Sequence, residues 1–159
     1  MSVLFLSLLE ASILAIALIG GVFLAFSDFI MRSLAKVDGH GGVEAMQSIN
    51  REVFRWVFMA LFLGMAVLSL IFVGYGLFGA VSWATTSVTM AGVVYLVGCF
   101  AVTAVFNVPL NTALASKETS LSATRLYWLD TYMPRWSFWN TIRTLSCIVS
   151  AALLLVGLP

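Results

Sequence analysis

Four long apolar runs separated by polar segments dominate the chain, at about 3–30, 53–78, 86–106 and 138–158. Each is long enough to cross a hydrocarbon core as a helix, which takes roughly 20 predominantly apolar residues. Strands cross a membrane only as a closed barrel and alternate polar with apolar residues, unlike these continuous runs. The pattern therefore predicts an all-α, integral membrane four-helix bundle, up-down-up-down, as one domain over residues 1–159. Gly20, Gly21, Gly64, Gly92 and Gly98 fall inside the runs, where small residues let helices approach closely.

The polar segments set the orientation. Arg32, Lys36, Arg51 and Arg55 lie between the first two runs or just inside the second, and Lys117, Arg125, Arg135 and Arg143 lie between the last two or just inside the fourth. Positive segments stay in the cytoplasm, so both termini and the uncharged connector GYGLFGAVSWATTS are expected on the other side. Glu44, Gln47, Arg51 and Arg55 recur at helical spacing, which predicts a helix running on into the second span. The segment before the fourth span is expected to be helical from about Ser122 and broken or bent at Pro134. Its aromatic residues Tyr127, Trp128, Tyr132, Trp136 and Trp139 suit a membrane–water boundary.

Composition narrows the function. Hydrophobic residues make up 62% of the chain and charged ones 9%, far below the roughly 25% of an average soluble domain. The net charge of +1 provides no concentrated basic face, so a nucleic-acid partner is not expected. Cys99 and Cys147 sit inside apolar runs and read as buried free thiols. The first residues lack a basic region and a cleavage site, so the first helix is expected to be retained. His40 is the only histidine, which argues against bis-histidine haem, a histidine-rich copper site or a di-iron bundle; no metal is expected.

In so apolar a chain, polar side chains inside spans are informative because each costs free energy unless satisfied. Asp28 and Arg32 close the first span, Gln47, Asn50 and Arg51 lead into the second, Asn107 and Asn111 close the third, and Asn140 and Arg143 open the fourth. Alternating helices would gather these ends into one polar pocket at the cytoplasmic face, with Arg143 finding a carboxylate or amide partner across the bundle, Asp28 first among them. The blander alternative makes Asp28 and Arg32 a simple helical ion pair and the amides caps of helix ends. Glu10 stands apart at the opposite end, where it either pairs with a polar group such as Ser69 or snorkels outward.

The segments GGVFLAFSDFIMRSLA, EAMQSINREVF, FNVPLNTALA and RWSFWNTIRT, with MQSIN, NVPLN and WNTIR the most specific, resemble the anthrone-oxygenase-like family of small four-helix membrane proteins. The resemblance extends over nearly the whole chain. It implies oxidation of a flat, hydrophobic phenolic or quinone-like compound by molecular oxygen without a dedicated cofactor, because an anthrone carbanion is delocalised and can itself pass an electron to oxygen. In that chemistry Asp28 is the expected general base, and Arg143 with Arg51 stabilises the enolate oxygen. Gln47, Asn50, Asn107, Asn111 and Asn140 orient the hydroxyl and keto groups, and Trp139 forms an apolar wall. The expected partners are the lipid bilayer, of a bacterial inner membrane, and an aromatic small molecule. The rival expectation is a non-enzymatic protein, either an accessory subunit bound to a partner membrane protein or a second copy, or a carrier of a small hydrophobic compound.

Overall fold

The computed structural model describes residues 2–55, 57–78 and 81–159. Five helices account for most of them: α1 (Val3–Ala35), α2 (Gly41–Glu52), α3 (Val57–Phe78), α4 (Trp83–Ala115) and α5 (Ser122–Val156). All except α2 are long and apolar enough to cross a membrane. Trp56, inside the expected second span, and Gly79 and Ala80, in the connector after it, lie outside the described residues.

Three helices outrun the expected spans. Hydropathy ends a span where charge begins, but the hydrogen-bond ladder of a helix does not stop at a charged residue. At about 1.5 Å per residue, a helix the length of α4 reaches about 50 Å against roughly 30 Å of hydrocarbon. The surplus at the ends of α1, α4 and α5 packs with α2 into its own core of Met31, Val43, Met46, Leu114, Trp128, Tyr132 and Trp136. A longer core, including Leu9, Ile16, Phe23, Phe62, Phe72, Tyr95 and Leu154, runs between the four long apolar helices.

Local chemistry explains the boundaries. Ser2 caps α1 by accepting from the Phe5 amide at 3.3 Å, and Ser82 caps α4 by accepting from Thr85 at 3.1 Å. Gly39, at φ 65°, turns the chain between α1 and α2, and its carbonyl accepts from Arg125. Gly92 permits a close approach of α3 and α4, since a Cβ there would lie 2.6 Å from the Ser69 carbonyl oxygen. Gly20 does the same for α1 against Cys147 at 2.9 Å, whereas Gly21 and Gly64 face open space and take no part in the packing expected of them.

Two local expectations are corrected. The helix through Gln47 and Arg51 does not run on into the second span: α2 ends at Glu52, and 53–55 form a turn closed by the Arg55 amide on the Glu52 carbonyl at 3.0 Å. Nor is the chain broken at Pro134, the first of the two outcomes expected there, because Pro134 lies within the continuous α5. A π-helical segment, Trp128–Tyr132, ends two residues before it, and Thr103–Asn107 stands in the same relation to Pro109 in α4. Proline lacks the amide that would bond the carbonyl four residues back, and its ring crowds that carbonyl. The wider π turn shifts the ladder just there, so a proline is accommodated without ending the helix. Further π-helical segments occupy Phe26–Ile30 and Tyr95–Ala101.

Candidate active site

Where the two cores meet, the helices part around a cavity of about 250 Å³, close to the lower end of the roughly 300–1,000 Å³ typical of small-molecule sites. Its walls are aromatic and aliphatic, with Phe23 and Phe26 from α1, Phe58 and Phe62 from α3, Phe100 from α4 and Trp136 from α5. Three π-helical segments supply wall residues: Phe26, Phe100, and Thr103 with Ala104 and Asn107. Such segments reorient side chains out of the regular helical phase and recur at functional sites. The exposed residues of the wall, Val22, Phe54, Ala104 and Val108, are all apolar, so the mouth is greasy while the polar groups lie deeper.

Those groups are few. Asn50, Thr103, Asn107, Asn111 and Arg143 are the polar residues of the wall. Asn111 Oδ1 accepts from Tyr132 Oη at 2.8 Å and from Trp136 Nε1 at 2.9 Å, and Tyr132 Oη accepts from Asn50 Nδ2 at 3.3 Å. Asn107 Nδ2 donates to the Trp136 carbonyl at 3.2 Å, which fixes the amide orientation and leaves its buried Oδ1 without a partner. The network ties α2, α4 and α5 together and holds Trp136 against the cavity.

Arg143 is the charged residue of the wall, and it is 5% exposed. Its Nη2 donates to Asn140 Oδ1 at 2.7 Å and its Nη1 to Thr103 Oγ1 at 3.3 Å, while Nε has no partner. The guanidinium stands over the Phe23 ring at 4.2 Å and the Trp136 ring at 5.2 Å, an arrangement in which the ring faces attract the cation. Asn140 is completely buried, and its Nδ2 donates to the Phe23 carbonyl and to Ser27 Oγ, both at 2.7 Å. Both amide donors being committed to α1, the Asn140 oxygen has to face Arg143.

The remaining expected site residues lie elsewhere. Asp28 is not in the wall: it is exposed and forms an ion pair with Arg32 at 3.1 Å, so the expected pairing of Arg143 with Asp28 is not made. Arg51 is exposed, and Gln47 closes the end of α4 by donating to the Leu114 and Lys117 carbonyls at 2.9 and 3.0 Å. Trp139 stacks on Phe106 with ring centroids 3.6 Å apart, away from the cavity. Glu10 is exposed and Ser69 Oγ has no partner, so those two do not pair. Cys99 and Cys147 do meet, as free thiols with sulfurs 3.7 Å apart.

Thr103, Tyr132, Trp136 and Phe23 belong to the arrangement without having been expected there. A signal for three of them exists in the chain. Cys99, Thr103, Asn107 and Asn111 recur every four residues, and Tyr132, Trp136, Asn140, Arg143 and Cys147 follow at spacings of four, four, three and four. Each series marks a single helix face.

A family model described as anthrone oxygenase matches residues 51–153, most of the chain. The matched stretch carries Thr103, Asn107, Asn111, Trp136, Asn140 and Arg143 and leaves out Asp28, Gln47 and Asn50. No curated protein and no solved structure matches the chain.

Proposed function

The chain belongs to the anthrone oxygenase family, and from this premise we propose that it oxidises a flat, membrane-soluble anthrone-like phenol to the corresponding quinone with molecular oxygen, in the cavity beside Arg143. One observation carries the reading: a cavity with an apolar mouth and aromatic walls holds a single buried cation. An apolar mouth on helices long enough to cross a membrane favours a ligand that partitions into lipid. Flat aromatic walls favour fused rings, and a lone guanidinium favours a ligand that carries or develops negative charge on oxygen.

The chemistry needs little from the protein. Loss of a proton from the ring methylene leaves an electron pair delocalised onto the keto oxygen, which Arg143 stabilises. The carbanion adds oxygen and regains one proton from water to give a hydroperoxide, whose collapse breaks the O–O bond and the remaining C–H bond, forms the second carbonyl and releases water, so one methylene and one dioxygen become one carbonyl and one water. In the bilayer we place the cavity toward the cytoplasmic face, with both termini opposite, because the basic residues cluster around α2 and the start of α5.

The test is quinone formation from anthrone by purified, metal-stripped protein in lipid vesicles. Wild-type protein should produce quinone faster than protein-free vesicles, and Arg143→Met should lower the rate on the order of 100-fold, as loss of a main charge-stabilising donor does elsewhere. No quinone above the protein-free rate would overturn the reading.

A further inference from the structure

Among the described residues the site presents a cation and no base. No carboxylate, histidine or lysine occurs among the described residues of the cavity wall. The titratable groups that face Arg143 are the Cys99 thiol from α4 and the Cys147 thiol and Tyr132 phenol from α5, and none of them is a carboxylate. From α1 it meets the Phe23 ring. A guanidinium has five N–H donors, of which two find acceptors here, both on neutral groups. The two ion pairs among the described residues, Asp28 with Arg32 and Glu52 with Arg55, are exposed and do not include Arg143. Burying a cation without a counter-ion costs free energy that ring faces and neutral acceptors offset only in part.

We infer that the counter-ion is the ligand: the cavity takes its substrate as the enolate, with the charged oxygen against Arg143, and the protein promotes ionisation by stabilising this anion instead of by placing a general base. The inference rests on the proposed function and specifies how its site acts. In the step, the methylene C–H bond breaks, its electron pair enters the ring system and settles on the keto oxygen, and the proton passes to water at the mouth. The polar contacts of Arg143 are held in advance. Asn140, locked to α1 by two 2.7 Å bonds, aims its oxygen at Nη2. The Thr103 hydroxyl, which donates to the Cys99 carbonyl at 2.8 Å, is left to accept from Nη1. The guanidinium is thus fixed before the ligand arrives, the condition under which a charge stabilises an anion without reorganisation.

The experiment titrates the bound ligand with oxygen excluded. Full-length protein in lipid vesicles is loaded with anthrone under nitrogen, and the fraction ionised is read from the enolate absorbance across pH. A hydroxyanthraquinone, whose visible band reports its own ionisation, serves as a second probe. An opposite charge within about 4–6 Å makes a group on the order of 10- to 1,000-fold more acidic. Ionisation on wild-type protein should shift by that factor relative to ligand in protein-free vesicles. Arg143→Gln should abolish the shift, and Arg143→Lys should retain most of it. Neutral ligand on wild-type protein, or an equal shift in Arg143→Gln, overturns the inference, as does failure of both probes to bind. Quinone formation from a ligand bound neutral would overturn this inference and leave the proposed function standing. An enolate bound tightly but inert to oxygen would do the reverse.

Discussion

Replacing Asn140 by Asp changes very little volume and places a carboxylate beside Arg143, which makes it the sharpest probe of the charge in the cavity. The wild-type amide accepts from Arg143 Nη2 at 2.7 Å and donates to the Phe23 carbonyl and Ser27 Oγ at the same distance. In the variant one oxygen still accepts from Arg143, but as a formal negative charge. The other stands where the amide donor stood, facing the Phe23 carbonyl with no hydrogen between them. The lost donor bonds cost about 1–3 kcal/mol of stability, and the new ion pair returns part of that. The effect on ligand is larger. An enolate held by Arg143 would lie roughly 6 Å from the new carboxylate, a repulsion of about 3 kcal/mol at an effective dielectric constant of about 20, or on the order of 100-fold in the enolate population. Anaerobic titration of bound anthrone and aerobic quinone formation should both fall by that factor. Asn140→Ala serves as the control, because it removes the same donors and adds no charge, so its stability should drop while its enolate population falls much less. An Asp variant that ionises and oxidises anthrone as the wild type does would refute the reasoning, and so would an Ala variant with an equal loss, since charge would then not be the cause.

Other perturbations separate the cavity from its surroundings. Asp28→Asn should leave quinone formation within about twofold of wild type, because an exposed i,i+4 ion pair is worth little and the side chain is outside the wall; a loss as large as that in Arg143→Met would return Asp28 to the site. Tyr132→Phe removes the bond to Asn111 at 2.8 Å and that from Asn50 at 3.3 Å, and should cost about 1–2 kcal/mol in reversible unfolding in detergent. Gly92→Ala presses a methyl group against the Ser69 carbonyl oxygen and should cost about 1–3 kcal/mol, whereas Gly64→Ala, with open space around it, should leave the thermal midpoint unchanged or higher. Ala104→Trp at the mouth should raise the KM for anthrone without lowering the thermal midpoint; an unchanged KM would place the entrance elsewhere.

How far the fold can be read from the chain differs between its two halves for a physical reason. In hydrocarbon a backbone has to satisfy its own hydrogen bonds, so an apolar run of sufficient length has one secondary structure open to it, and the four runs were legible as helices. Beyond the hydrocarbon that constraint lapses. The extension of α4 to Ala115 and the uninterrupted passage of α5 through Pro134 depend on π-helical turns that hydropathy does not register. The site divides in the same way. Asn107, Asn140 and Arg143 are within the matched stretch of the spanning helices, where a polar group facing lipid is costly, and all are buried at or behind the cavity wall.

Asp28 shows where that argument loses its force. The inward face of α1 passes through Ile16, Ile19, Gly20 and Phe23, continues through the Ser27 hydroxyl bonded to Asn140, and reaches Met31. Asp28 instead continues the line of Leu24, which is 51% exposed, and helical phase alone puts it on the outer face. A carboxylate at the end of α1 does not meet the full cost of the bilayer interior. The penalty falls steeply toward the boundary, and Arg32 one turn further on supplies a partner from the same helix. Asn140 and Arg143 have no comparable way out, since the helix carries them inward at a depth where water does not compete. The residues whose polarity could be satisfied only by the rest of the bundle are therefore the ones that form the site. A residue able to satisfy itself locally, such as Asp28, carried no information about the site however conspicuous its charge.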